Sequence, residues 1–115
     1  MPSLIERHYE EIWETYDSMV RKVMRDHNAL DLKTKEIIAI IISIINRCET
    51  CINYHVTRAL DDGATEEEIV EAISVLMLMR GFSEEVWSRK AVIKAIRSWQ
   101  KANAQSNLNN SGEKK

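Results

Sequence analysis

Hydrophobic and polar positions alternate with a helical period along most of the chain. Behind Ser3, with Glu6 three residues later as a possible capping box, Ile5, Tyr9, Ile12, Tyr16, Met19 and Val23 recur at spacings of three and four. This predicts a first helix from about Leu4 to about Arg25. Asp31 suits the N-cap of a second helix, whose body from Glu36 to Asn46 is apolar on every side and so calls for burial on every side. The isoleucine run also satisfies β-propensity, but no second strand-like segment is there to pair with it. A third helix is expected to begin between Arg47 and Thr50 and to stop at Gly63, which suits the left-handed position that follows a helix C-terminus. Thr65 and Glu68 repeat the capping-box pattern ahead of a largely apolar helix that reaches Met79 and ends at Gly81. Ser83 then caps a last helix carrying Val86, Ile93, Ile96 and Trp99, with Glu84 and Glu85 placed to complement its dipole. That helix is expected to fray near Ala104, leaving the polar segment Gln105 to Lys115 disordered.

The pattern thus predicts an all-α fold of about five helices, one compact domain over residues 1–104 and a polar tail over 105–115. With 115 residues there is enough chain for one core and rarely for two. Three glycines and one proline leave few helix breakers. Sixteen basic and eighteen acidic residues, interspersed, give a net charge of −2, so no broad basic surface is available for nucleic acid. The charged start of the chain does not read as a secretory signal, and the run Ile37 to Ile45 is too short to span a bilayer, for which roughly 20 residues are needed. A cytoplasmic protein without a membrane segment is expected. Two helices that are apolar all round exceed what one small domain covers, which predicts a homo-oligomer.

The chemistry concentrates in Cys48-x-x-Cys51-x-x-x-His55. Residues three apart on a helix lie about 5 Å apart at Cα, within reach of a disulfide. His55 follows Cys51 by one turn on the same face, with Cβ atoms roughly 5–6 Å apart, and can exchange a proton with it. A free thiol of pKa about 8.5 is only about 3% ionised at pH 7, so a helix N-terminus and an imidazole would both raise its reactivity. Two other readings stay open from the residues alone. The pair could be small hydrophobes in a helix, or part of a zinc site, although Cys48, Cys51 and His55 supply three ligands where a structural zinc needs four. Glu36 by itself reads as an ordinary first-turn carboxylate.

The segments Leu32-Lys-Thr-Lys-Glu36-Ile-Ile-Ala-Ile, Cys48-Glu-Thr-Cys51-Ile-Asn-Tyr-His55 and Gly63-Ala-Thr65-Glu-Glu-Glu68-Ile together resemble the alkylhydroperoxidase D-like branch of the carboxymuconolactone decarboxylase family, over roughly residues 30–80. The resemblance implies an all-helical subunit assembling as a homotrimer or hexamer. It further implies a proton relay from Glu36 and His55 to a redox-active dithiol, with Cys51 attacking and Cys48 resolving. The substrate would be a hydroperoxide or a disulfide, re-reduction would come from a dithiol donor, and no cofactor beyond the Cys48–Cys51 disulfide would be needed. Before the second cysteine, where some peroxidase members carry histidine, this chain has Thr50. Two alternatives are kept: a decarboxylase-like acid–base enzyme using Glu36 and His55, and a non-enzymatic oligomer that senses redox state, in which Trp13, Trp87 and Trp99 would mark an interface or, more simply, core.

Overall fold

The computed structural model describes residues 2–113. Among them every regular element is helical, as the periodicity predicts. The chain divides after Leu32 into two units.

In the first unit, α1 (Leu4–His8) and α2 (Glu10–Arg21) are followed by a single wide turn of π-helix at Lys22–Asp26. Ser3 caps α1 by accepting the Glu6 amide. The expected unbroken helix to Arg25 is therefore corrected at two places. Tyr9 leaves the helical region (φ −140°, ψ 72°). An aromatic residue gives up side-chain freedom inside a helix, and Glu10 and Glu11 favour a fresh N-terminus immediately after it. Apolar periodicity runs straight through Tyr9, so it cannot report the break. No residue of these three elements is buried within the chain, and Tyr9, Ile12, Tyr16 and Met19 form an exposed stripe.

The second unit, from Lys33 on, is built from α3 (Leu32–Ile45) past its first residue, α4 (Glu49–Asp61), α5 (Glu66–Arg80) and α6 (Ser83–Glu113). Its core joins Ile40 and Ile44 of α3, Ile52, Val56, Ala59 and Leu60 of α4, Ile69, Ile73 and Leu76 of α5, and Val92, Ala95 and Ile96 of α6. Trp87 and Trp99 pack against this core, which favours the core reading for these two. The expectation that α3 is covered all round is met on one side only: Glu36, Ile40, Ser43 and Ile44 are buried, whereas Ile38 and Ile42 are 43% and 51% exposed. A stripe at this spacing is what one helix can present to a small bundle.

Helix ends follow local chemistry closely. After α4, Gly63 takes φ +96°, its amide bonds to Leu60 O and the Ala64 amide to Ala59 O, the paired bonds of a Schellman motif that turns Ala64 into the core. Thr65 and Glu68 form the reciprocal capping box of α5, and Gly81 closes that helix at φ +106°. Two expectations are adjusted at α6. Ser83 is its first helical residue, not its cap, because amides bond back to Gly81 and Phe82 from Glu84 and Glu85. The helix also continues past Ala104 to Glu113. Once a helix is nucleated, each added residue forms a bond at little cost, and Gln100 to Ala104 supports propagation.

Glu68 also takes a hydrogen bond from Lys33 at 2.9 Å, and this bond, with the cap, holds its carboxyl below the usual carboxylate range. A depressed carboxyl stabilises the fold above its unfolded value, and that contribution is lost as pH falls through the depressed one. Thr65→Ala should cost about 1 kcal/mol at neutral pH. Glu68→Gln should lower the melting temperature at pH 7, with the gap to wild type closing in acid below the ordinary carboxylate range; thermal unfolding across pH measures both.

Candidate active site

Cys48 sits where two helices meet. Its amide bonds to Ser43 O and the Arg47 amide to Ile44 O, both at 3.1 Å, which closes α3 with a second Schellman motif. The left-handed residue of this turn is Arg47 (φ 56°) and not glycine. Cys48 is at the same time the N-cap of α4: its Sγ accepts the Cys51 amide at 3.3 Å, and its carbonyl accepts the Ile52 amide. Cys48 and Cys51 are joined as a disulfide with Cα atoms 5.2 Å apart, the spacing expected for residues three apart at a helix start. With the sulfurs bonded to each other, the Thr50 hydroxyl is the group that donates across its 3.4 Å contact with Cys48 Sγ. On reduction, a Cys48 thiolate would meet the Cys51 amide, the Thr50 hydroxyl and the positive end of the α4 dipole.

One turn beyond Cys51, His55 Nδ1 and Glu36 Oε2 share a hydrogen bond of 2.8 Å across α4 and α3. Glu36 is almost fully buried, and the imidazole is partly open to solvent. With Glu36 ionised, the bond keeps the proton on Nδ1 and leaves the Nε2 lone pair available as a base, the usual way a second group selects a histidine tautomer. The Tyr54 ring meets the imidazole edge-on, with centroids 5.0 Å apart. The four residues singled out in the sequence thus lie at the junction of α3 and the first turns of α4. An open cleft of 670 Å³ between α4 and α6 starts at Glu49 and Thr50 and runs past Asn53 and Thr57. Among the described residues no three His, Cys, Asp or Glu side chains form a metal-ligand set, and no helix is long and apolar enough to cross a membrane.

Sequence reasoning missed the pairing made by the residue that precedes Cys48. The Arg47 guanidinium bonds to Glu84 Oε1 at 3.1 Å and stacks 5.1 Å from the centre of the Trp87 ring. Glu84 is buried, with its second oxygen 3.8 Å from Arg80 Nε. It looks like any acidic residue at a helix start, and no local pattern marks its pairing with a residue 37 positions away.

The model of the carboxymuconolactone decarboxylase family matches residues 10–94, and the chain belongs to that family. It is similar to uncharacterised protein 4 in the cox locus of Paracoccus denitrificans, 39% identical over 71 residues that make up 62% of this chain and 64% of that one. The chain spans just under two-thirds of the length of the curated relatives it matches, 64% and 65%. Among solved structures it resembles a family member from Legionella pneumophila (26% identity, TM-score 0.72, 83% of each chain). It also resembles one from Thermotoga maritima (28% identity, TM-score 0.69, 81% of this chain and 94% of that one), for which involvement in an antioxidative response has been suggested.

Because Glu36 is buried, its carboxylate depends on the imidazole. His55→Leu should destabilise the fold by about 1–3 kcal/mol through the unsatisfied acceptor, whereas His55→Gln, which can still donate, should cost less. Urea unfolding of the two variants at pH 7 tests the order.

Proposed function

We propose that this chain is a thiol–disulfide redox enzyme of the alkylhydroperoxidase D-like type, a peroxidase or disulfide reductase that works through Cys48 and Cys51. The observation that carries the reading is the Cys48–Cys51 pair at the N-terminus of α4, with His55 on the same helix bonded to the buried Glu36. In the peroxidase form, His55 takes the Cys51 proton and the thiolate attacks the terminal peroxide oxygen. The O–O bond breaks, Cys51 becomes a sulfenic acid and the alcohol leaves with a proton. The Cys48 thiolate then attacks Cys51 Sγ, forming the disulfide and releasing water. A dithiol donor attacks Cys51 Sγ, Cys48 leaves as the thiolate, and the donor's second thiol closes its own disulfide to free Cys51. Stabilisation of the Cys48 anion suits both of its tasks, resolving thiol and leaving group.

The antioxidative role suggested for the Thermotoga relative is in keeping with this reading. So is a cytoplasmic setting, where thiol donors keep such pairs cycling. A homotrimer or hexamer belongs to the same proposal: Leu78, Met79 and Phe82 are 82%, 76% and 59% exposed in the single chain, more apolar surface in one place than a monomer keeps. Light scattering at micromolar concentration should give a mass of three or six chains, and a monomer would count against this part.

Turnover with hydroperoxide and a dithiol donor tests the activity. Cys51→Ser should abolish it, and Cys48→Ser should leave sulfenic acid or a mixed disulfide on Cys51, seen by mass spectrometry. His55→Gln and Glu36→Gln should slow turnover about 10²–10⁴-fold if both serve the proton transfer. Full turnover in Cys51→Ser would overturn the role given to that thiol, and no turnover in wild type with any dithiol donor would favour the acid–base alternative that uses Glu36 and His55 alone.

A further inference from the structure

The turn that presents Cys48 runs against backbone preference. Left-handed φ is uncommon for a residue with a Cβ, and an arginine there persists only when its surroundings hold it. Here they do so from one direction. The Arg47 guanidinium is bonded to Glu84 and lies over Trp87, two residues one turn apart on α6. Glu84 is nine-tenths or more buried, sits between Arg47 and Arg80, and contributes nothing to the chemistry proposed above. The next residue after this anchored turn is Cys48, whose amide ends α3 and whose sulfur caps α4.

We propose that Arg47 and Glu84 are positioning residues that act through the turn, fixing Cys48 at the N-cap of α4 so that its sulfur stays aligned with the Cys51 amide and the helix dipole. The inference deepens the redox reading and rests on it. Its content is that α6, which carries none of the reacting groups, sets the reactivity of the resolving thiol. Released from Glu84, Arg47 loses its hold on the left-handed turn, Cys48 samples positions off the helix axis, and its thiolate loses the amide bond.

The sign of the effect separates positioning from simple charge. Taking the negative charge off residue 84 should, through space, favour the Cys48 anion and make it more reactive. Loosening the turn makes it less reactive. In fully reduced protein, alkylation by iodoacetamide is followed at each cysteine across pH by mass spectrometry. Glu84→Met, close in size and without an acceptor, should move the Cys48 midpoint up by about one pH unit, roughly a tenfold slower reaction at acidic pH, with little change at Cys51. Glu84→Gln keeps an acceptor for the guanidinium and should give a smaller shift of the same sign. If Glu84→Met does not fold, Glu84→Gln decides alone. A Cys48 as reactive as wild type, or more so, in the folded variants overturns the inference and leaves the pair a purely structural one. Because alkylation needs no peroxide turnover, an enzyme that failed the turnover assay would sink the redox reading without touching this result.

Discussion

The amide of Cys48 bonds backward into α3 and its sulfur bonds forward into α4. A helix end leaves carbonyls without partners and a helix start leaves amides without partners, and both must be satisfied within a few residues at a tight corner. Placing a cysteine at the shared position satisfies one of each. The same choice puts sulfur at the most electropositive point of a helix, so the demands of the corner and those of thiol chemistry coincide in one residue. Cys51, three residues on in the first turn of α4, places a second sulfur within bonding reach of it.

From that corner the rest of the site is a matter of packing. His55 is carried by α4 and Glu36 by α3, so their 2.8 Å bond holds only while the two helices keep their register. Ile40 and Ile44 of α3 share one core with Ile52 and Val56 of α4, all fully buried. Glu36 lies one turn before Ile40, on the same buried side of α3. A carboxylate in that stripe is costly unless paired, and the imidazole supplies the pairing while leaving its other nitrogen free for proton exchange.

Local signals were legible in the sequence and long-range ones were not. Thr65 with Glu68, and Gly63 after Asp62, announce helix ends through interactions of near neighbours, and the structure has them as read. The Cys48, Cys51 and His55 register follows from one helical period. Glu36 was different: read as an ordinary first-turn carboxylate, it lies in the second turn because α3 already starts at Leu32, its spacing to His55 is 19 residues across a corner, and nothing but the family resemblance singled it out. Arg47 and Glu84 had neither kind of support, since an αL arginine has no composition cue and its partner lies on another helix. The break at Tyr9 escaped because periodicity reports which side is apolar and not whether the backbone is continuous.

The division of labour among the helices explains why so small a unit can combine a buried carboxylate with an accessible cysteine pair. The cysteines are half-buried at a helix start, within reach of solvent, while Glu36 is four residues into α3 and shielded by the core. A single helix could not offer both environments within one turn. Two helices meeting at a sharp corner can, provided that the corner is stiff, and stiffness is what a left-handed arginine tied to a third helix supplies where a glycine would leave the turn free to move. The backbone cost at Arg47 is therefore offset by side-chain contacts that glycine could not make, and the restraint falls on the residue that carries the sulfur.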